Sequence, residues 1–453
     1  MAVTRKSITT ACQFSAVAVL LFVLQFAACN QAASSDFMGF ILREVASVCR
    51  DSGMQWILVQ CLGCYFIMLL ILERSLLPHN TGWRLGAANL WLGALVMLAF
   101  ARYELASETA SQSTQVPIFF ASVIFGKGIS VWARWRSDEF ERRVIFLNIL
   151  LVCFLAGAAL WQPKTTLEFQ YHNTPRWSGI WDNPNLYGLL MGTGLTLAFG
   201  LLLHNSQFTK FQKLWILFCA VSMALTGDGL LKSYSRGAWL GTICGLVYLV
   251  SGFWIRDSQL SHISWLKRNC ILVPVTLIFI FILALAQFQK PYHPVAKRVF
   301  SAVNVNDFSW RNRFAALEVT LQIIAEHPWL GAGWNQPEPL YEHYYLPSKL
   351  DESAAIEMDD YLMLSATLGI PALFCFGMYL WLSQGKNFGA SGQETELAAL
   401  DWLPKICHAG AIVLLVGFWF DGGLFKLATA STFWILLELG AAQSHHETDN
   451  LRQ

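Results

Sequence analysis

Residues 184–203 read PNLYGLLMGTGLTLAFGLLL, a stretch without a single charged side chain. As an α-helix, a segment of this length rises about 30 Å, which is the thickness of the hydrocarbon core of a bilayer. Other apolar blocks of roughly 18 to 22 residues recur along the chain, and soluble core helices are shorter and more interrupted. The sequence therefore predicts an all-α, polytopic membrane protein of about twelve transmembrane helices. The predicted spans lie near 12–29, 55–73, 84–101, 115–133, 143–160, 184–203, 212–228, 236–255, 270–287, 359–383, 403–420 and 422–440.

The composition of the 453-residue chain supports this class of fold. Only 13% of the residues are charged and 55% are hydrophobic, whereas a soluble chain carries roughly a quarter charged residues. The 19 Trp and 32 Phe are the aromatic content typical of anchoring at membrane interfaces. A net charge of +1 argues against binding of nucleic acid through bulk charge. The eleven cysteines lie mostly inside apolar segments, so they imply no disulfide framework.

The first apolar block, residues 12–29, has two interpretations. Arg5 and Lys6 precede it, and it ends in Phe26-Ala27-Ala28-Cys29, which lies close to a lipoprotein cleavage box. Phe26 fits that box poorly, and many more spans follow. We therefore expect this block to be retained as the first helix.

The charges of the short loops predict the orientation of the chain. With a cytoplasmic N-terminus, the loops on the cytoplasmic side hold most of the cations, in accordance with the positive-inside rule. These cations are Arg74, Arg84, Arg134, Arg136, Arg142, Arg143, Lys210, Lys213, Arg256, Lys267 and Arg268. The opposite, periplasmic face then receives one long loop at 288–358, within a single membrane domain of residues 1–453.

Two cationic stretches lie on the face that this rule depletes of cations. The first runs Lys232-Ser233-Tyr234-Ser235-Arg236-Gly237-Ala238-Trp239 and the second Trp310-Arg311-Asn312-Arg313-Phe314. Arg236 is either an interfacial anchor that snorkels toward the headgroups or part of an anion site, since a guanidinium matches phosphate bidentately. Arg311 and Arg313 either form surface salt bridges or supply the further cations that a pyrophosphate requires.

An acidic stretch, Glu357-Met358-Asp359-Asp360-Tyr361-Leu362, begins the tenth predicted span. Asp359 and Asp360 are either solvated acids at the positive end of a helix dipole or a general base. A metal-ligand pair with Glu357 is a weaker alternative. His343, in the long loop, has no partner at a metal-binding spacing, so no metal or cofactor is expected.

In these motifs the chain resembles the O-antigen ligase family, which includes O-antigen polymerases and oligosaccharide-to-protein ligases. The motifs are Trp181-Asp182-Asn183-Pro184-Asn185 before the sixth span, Ser235-Arg236-Gly237, and one long loop before the tenth span. The resemblance implies a fold like that of GT-C membrane glycosyltransferases in the bacterial inner membrane, with the active site facing the periplasm. It also implies an inverting transfer, without metal or nucleotide sugar, from an undecaprenyl-pyrophosphate-linked glycan. The acceptor would be a lipid A-core, another glycan or a protein.

The resemblance also assigns residues. Arg236 matches the family's pyrophosphate-binding arginine, and Arg313 matches the second arginine because it precedes the Pro328 of a Pro-x-x-Gly-x-Gly turn by fifteen residues. Arg311 is the alternative to Arg313, and Lys232 lies beside Arg236 as a further candidate. The family's tryptophan four residues after the second arginine is Leu317 here.

The main departure from the family pattern is at the start of the tenth span. The family has His-Asn-x-Leu, and this chain has Asp359-Asp360-Tyr361-Leu362. Asp359 therefore occupies the position of the catalytic histidine, and a carboxylate is a weaker base at neutral pH unless burial raises its pKa. Either Asp359 acts as the base, or His343 reaches in from the loop, or the activity is altered.

Two other functions compete with glycan ligation. A polymerase of the same family would use a second lipid-linked glycan as acceptor. A transporter or flippase of lipid-linked glycans would place ionisable residues inside its spans, and Lys127 in the fourth span is such a residue. Lys127 can equally snorkel or bind a substrate phosphate.

Overall fold

The structure is a computed structural model. It describes residues 52–76, 83–105, 115–134, part of 147–155, 170–171, 174–203 without 180 and 182, 212–257, 308–340 without 338, 359–383, 403–420 and 422–441. The predicted spans at 12–29 and 270–287, the residue His343 and much of the 288–358 loop lie outside these residues.

The described chain is helical. The helices are α1 (Ser52–Leu76), α2 (Trp83–Glu104), α3 (Gln115–Arg134), α4 (Pro184–Leu203), α5 (Gln212–Lys232), α6 (Arg236–Asp257), α7 (Phe308–Glu326), α8 (Asp360–Leu368), α9 (Ile370–Ser383), α10 (Leu403–Phe420) and α11 (Leu427–Ala441). Two-residue strands, β1 (Gln170–Tyr171) and β2 (Thr174–Pro175), pair antiparallel before α4. The helices confirm the all-α class in this part of the chain.

Six described helices, α1 to α5 and α10, are long and apolar enough to cross a membrane. Three shorter apolar segments occur within α6, α9 and α11. These helices coincide with predicted spans to within a few residues. The predicted span 359–383 differs, because it is broken into α8 and α9 at Gly369, which has a φ of 88°.

The helices pack in two groups. In the first, α3 packs between α1 and α11, and α9 packs against α2. In the second, α4, α6 and α10 pack against one another, with α5 against α4. The two groups meet where α10 packs against α11. Helix α4, the stretch quoted first, is buried from Pro184 through Leu201 apart from two residues near its start, Asn185 and Leu186. This uniform burial is expected for a helix that is apolar on all sides and central in its group.

Glycines bring the second group into close contact. A Cβ on Gly245 of α6 would lie 2.8 Å from the carbonyl oxygen of Ala409 in α10, and one on Gly241 would overlap the carbonyl of Val413. The two helices therefore touch backbone to backbone. The pairs 241 with 413 and 245 with 409 also show that α6 and α10 are antiparallel, so the start of α6 lies level with the end of α10.

Contacts between helix termini identify one common end of the bundle. The side chain of Gln60, near the start of α1, donates to Glu104 at the end of α2. Arg102 in the same turn of α2 donates to Ala332 O, and Ala332 N donates to Ala366 O of α8. The start of α6 lies level with the end of α10, and the start of α8 is bonded to the turn that follows α10. We call this end of the bundle the site end, because it carries the residues considered below.

A charged cluster lies inside the first helix group, toward the other end. Lys127 Nζ is 2.7 Å from Glu438 Oε1 and 3.3 Å from Glu73 Oε2, and all three side chains are at most 1% exposed. Lys127 also donates to Asn89 Oδ1 at 2.6 Å, and the Tyr379 hydroxyl donates to Glu438. We call these five residues the Lys127 cluster. Lys127 therefore does not snorkel, and its charge is engaged by two carboxylates.

Candidate functional site

The turn between α5 and α6 presents Arg236 at the site end. Its residues Ser233, Tyr234 and Ser235 are buried, and Tyr234 has a φ of 52°. The Ser235 hydroxyl caps α6 by accepting from Ala238 N at 3.2 Å. Arg236 follows as the first residue of α6 and is half-buried. Its guanidinium is therefore attached to a fixed turn and to a helix N-terminus, whose free N–H groups and dipole both favour an anion.

Arg176 fixes this turn from outside. Its Nε donates to Ser233 O at 2.8 Å, and its Nη2 donates to Asn185 Oδ1 at the start of α4. Trp177 N donates to Lys232 O at 3.0 Å, so the chain before α4 covers the end of α5. Arg176 was not among the residues predicted from the sequence. Its signal was the same as that of Arg236, a cation in a short loop on the face that should be depleted of cations.

Lys232 is held away from the turn by its own contacts. Its Nζ lies 2.8 Å from Asp228 Oδ2 one helical turn earlier, and 4.0 Å from the centre of the Trp177 ring. The two charged side chains are 42% and 50% exposed. Such an exposed i,i+4 pair contributes at most about 1 kcal/mol to stability.

Arg313 lies in the second turn of α7 and reaches the end of α10. Its Nη2 donates to Phe420 O at 2.8 Å, and its guanidinium carbon lies 5.9 Å from the Phe420 ring centre. A cation is favoured there by the negative end of the helix dipole. Arg311 lies in the first turn of α7, and its side chain is outside the described part of the structure.

Asp359 is the N-cap of α8. Its Oδ1 accepts from Tyr361 N at 3.0 Å and from Leu362 N at 3.2 Å. Burial raises the pKa of this carboxyl above its ordinary value, although the two backbone N–H groups act in the opposite direction. A carboxylate with a raised pKa is a better proton acceptor near neutral pH than an exposed one.

Asp360 links α8 to the connection between α10 and α11. It is 3% exposed, and its Oδ2 accepts from Leu424 N at 2.7 Å. Gly423 N provides a second backbone hydrogen bond to the same carboxyl. Its contacts are thus those of a residue that holds two segments together.

The turn at 328–333 holds the break between α8 and α9. Ala332 N donates to Ala366 O at 2.7 Å, and Ile370 N donates to Pro328 O at 2.8 Å. Gly331 has a φ of 65°, and a Cβ there would overlap the backbone of Thr367. The Pro-x-x-Gly-x-Gly motif is therefore a turn, as expected, and glycine is required because the backbone of α8 passes beside it.

The structure thus places three predicted elements at one end of the bundle. Arg313 bonds to Phe420, and Asp360 bonds to Leu424 four residues later, so α7 and α8 meet the same short connection. Arg236 lies at the same end, on the helix whose start is level with the last turn of α10. The chemistry available there is anion binding by guanidinium groups and proton acceptance by a carboxylate. No group of three or more His, Cys, Asp or Glu residues suited to a metal occurs in the described ranges.

A family model described as O-Antigen ligase matches residues 220–377. That segment contains all the candidate residues on α5 to α8. Among curated proteins, no sequence matches this chain. The chain is therefore a helical, multi-pass membrane protein whose residues 220–377 are similar to the O-antigen ligase family.

Proposed function

We propose that this protein is an inverting membrane glycosyltransferase that ligates a glycan from undecaprenyl-pyrophosphate onto a lipid A-core, another glycan or a protein. The observation that carries the proposal is that Arg236, Arg313 and Asp359 lie at the same end of the bundle, within the segment that matches the O-antigen ligases. The proposal includes a site that faces the periplasm, about twelve spans, a single membrane domain with a long 288–358 loop, and a GT-C type of architecture.

In the proposed reaction, Arg236 and Arg313 hold the pyrophosphate of the donor. The acceptor hydroxyl attacks C1 of the sugar on the side opposite the pyrophosphate, and the C1–O bond to the carrier breaks. Negative charge then grows on the departing pyrophosphate, so fixed guanidinium groups stabilise the transition state more than the ground state. Once this charge is neutralised, pyrophosphate is a sufficient leaving group, and neither a metal nor a covalent enzyme intermediate is needed.

The acceptor proton is proposed to move to Asp359 Oδ2. Oδ1 is used in capping α8, which holds the carboxyl in one orientation. Burial disfavours the charged form and therefore makes the carboxylate more basic. Asp360 supports the base indirectly, because its bonds to 423–424 fix the start of α8. His343 remains the alternative base.

The runner-up within the family is a polymerase that uses the same site with a second lipid-linked glycan as acceptor. The flippase alternative rested on Lys127 as a substrate-binding cation. That residue is buried and paired with Glu73 and Glu438, so the observation that favoured transport now favours a structural role.

The proposal can be tested with the purified full-length chain in liposomes that contain a synthetic undecaprenyl-pyrophosphate glycan. We expect a lipid A-core acceptor to gain the glycan while undecaprenyl pyrophosphate is released. Formation of longer lipid-linked glycans without transfer to the core would identify a polymerase. Movement of intact donor between leaflets, with no broken C1–O bond, would contradict the proposal and identify a flippase.

A further inference from the structure

Helix α7 has an exposed side that is divided along its length. Phe314, Leu317 and Leu321 are 52%, 36% and 50% exposed. Beside them, Glu318, Gln322 and Glu326 are exposed as well. We call the first three residues the apolar flank of α7 and the last three its polar flank.

The helical period explains the division. At about 100° per residue, Phe314, Leu317 and Leu321 fall within an arc of roughly 60°, and the polar flank is centred about 100° away. The remaining face, with Ala316, Val319, Thr320 and Ile323, is buried, and α7 packs there on α8. Helix α7 thus has three faces, of which the buried one packs on α8 and the other two are exposed.

The contacts at the two ends of α7 show how it is oriented. Near its start, Arg313 bonds to Phe420 at the end of α10. Shortly after its end, Trp334 Nε1 donates to Ala99 O at 3.0 Å, and Arg102 donates to Ala332 O. Ala99 lies only about 8 Å along α2 from the site end at Glu104, whereas Arg313 to Glu326 spans about 20 Å. Helix α7 therefore lies across the end of the bundle.

The apolar flank continues into the outer surface of a span. The turn after α7 exposes Trp329 and Leu330, at 75% and 45%. Its Pro328 carbonyl is bonded to Ile370 N, and Ile370 and Phe374 of the apolar helix α9 are 50% and 56% exposed. Exposed apolar side chains on a membrane helix face acyl chains. The exposed tryptophan is of the type that anchors at the interface between acyl chains and water.

We propose that α7 is an in-plane interfacial helix whose apolar flank, with Trp329 and Leu330, lies in the acyl-chain region of the membrane leaflet at the site end. Its polar flank faces water. The occupant of the apolar flank is thus bilayer lipid, because the turn after α7 exposes Trp329 and Leu330 and is hydrogen-bonded to α9, whose Ile370 and Phe374 are exposed. A helix of this kind places its apolar side about 5–10 Å into the boundary between headgroups and acyl chains. This inference does not depend on the proposed glycan transfer.

Two neighbouring residues provide a matched test. Leu321→Cys and Gln322→Cys, each in a full-length chain without reactive native thiols, are spin-labelled and reconstituted in phosphatidylcholine–phosphatidylglycerol liposomes. Power saturation then compares collisions with oxygen, which concentrates in acyl chains, and with a water-soluble nickel chelate. We expect oxygen to dominate at 321, at a depth of about 5–10 Å below the phosphates, and the chelate to dominate at 322.

A second pair, Leu317→Cys and Glu318→Cys, must give the same contrast. All four positions are exposed, so the labels displace no buried side chain, and gel filtration checks that each labelled variant is folded. Strong collision with the chelate at 317 and 321 would overturn the proposal. Water exposure in liposomes combined with protection from both reagents in native membrane vesicles would also overturn it, and would assign the flank to a protein partner.

Discussion

The Lys127 cluster and the site end both contain charged side chains on apolar helices, but they engage these charges differently. In the cluster, one lysine contacts two glutamates and an asparagine amide, and a tyrosine hydroxyl donates to one of the glutamates. The lysine and both glutamates are at most 1% exposed. At the site end, Arg236 is half-buried and Asp359 uses Oδ1 for capping. A charge whose partners are supplied by the helices around it serves the fold. A charge fixed at a helix terminus at the site end is proposed to serve a ligand.

This comparison has a measurable form. Substitutions in the Lys127 cluster should lower stability without changing the rate of transfer per folded molecule. Asp359→Asn, Arg236→Ala and Arg313→Ala at the site end should lower the rate of transfer without changing stability. Each variant is therefore measured for its stability and for its rate of transfer.

The largest effect is expected for Asp359→Asn. Asparagine caps a helix as well as aspartate does, so α8 is retained while the base is removed. The rate of transfer in liposomes should fall by roughly 100- to 10,000-fold, with the unfolding temperature unchanged. Full activity of Asp359→Asn, together with an inactive His343→Ala variant, would place the base in the loop.

The pH profile gives the same test a second readout. Because burial raises the pKa of Asp359, wild-type transfer should rise with pH as this carboxyl loses its proton, with a midpoint above that of an ordinary aspartate. Asp359→His should move the midpoint toward about 6.5. Histidine is a weaker N-cap, so this variant should also lose about 1 kcal/mol of stability. An unchanged midpoint would show that another group titrates.

Lys127→Met is expected to have the next largest effect, and on stability alone. It leaves Glu73 and Glu438 buried without their cation, which costs about 3–5 kcal/mol. Thermal unfolding in detergent should show a much lower transition than wild type. The matched control is Lys213→Met, at an exposed position in the first turn of α5, which should melt like wild type. A stable Lys127→Met protein that has lost transfer would place Lys127 in the reaction.

Arg236→Ala and Arg313→Ala should each reduce transfer by roughly 30- to 1000-fold, the loss expected when one charge-assisted contact of about 2–4 kcal/mol is removed from the transition state. Lysine at either position should restore little of the transfer rate, since an ammonium cannot bind phosphate bidentately as a guanidinium does. Initial rates at saturating donor are the measurement. Near-normal rates in both alanine variants would reduce these residues to interfacial anchors.

The smallest effect is expected for Lys232→Ala. Lys232 is committed to Asp228 and to the Trp177 ring at the surface, and an exposed pair contributes at most about 1 kcal/mol. Transfer should therefore change by less than about fivefold. A loss as large as that of Arg236→Ala would show that Lys232 swings to the pyrophosphate when donor binds.

The spans were predictable from the sequence because lipid imposes a length and a composition that a single segment must satisfy alone. The prediction 115–133 became Gln115–Arg134, and 403–420 became Leu403–Phe420. The break at Gly369 was missed, since its cause is the turn at 328–333, whose backbone pairs with that of α8 and α9. The apolar composition of residues 359–383 does not reveal that a turn from another part of the chain pairs with them.

The site was predictable to the extent that charges departed from the positive-inside pattern. Arg236 and Arg313 stood out for that reason, and Arg176 carried the same signal. The partners of Lys127 were not predictable, because Glu73 and Glu438 belong to helices distant in sequence and lie near the ends of their spans, where an acid is unremarkable.

Two glycines of α6 fix the position of the first residue of that helix, Arg236. Gly245 and Gly241 lie about 14 Å and 8 Å along the helix from Arg236, and both touch the backbone of α10. A helix is stiff over that distance. A methyl group added at either glycine would therefore shift all of α6 relative to α10, and Arg236 at its N-terminus would move as well. A misplacement of about 1 Å at a reacting centre costs on the order of 100-fold in rate. The position of the Arg236 guanidinium is thus set by backbone contacts between α6 and α10 that lie about 8–14 Å along the helix from it.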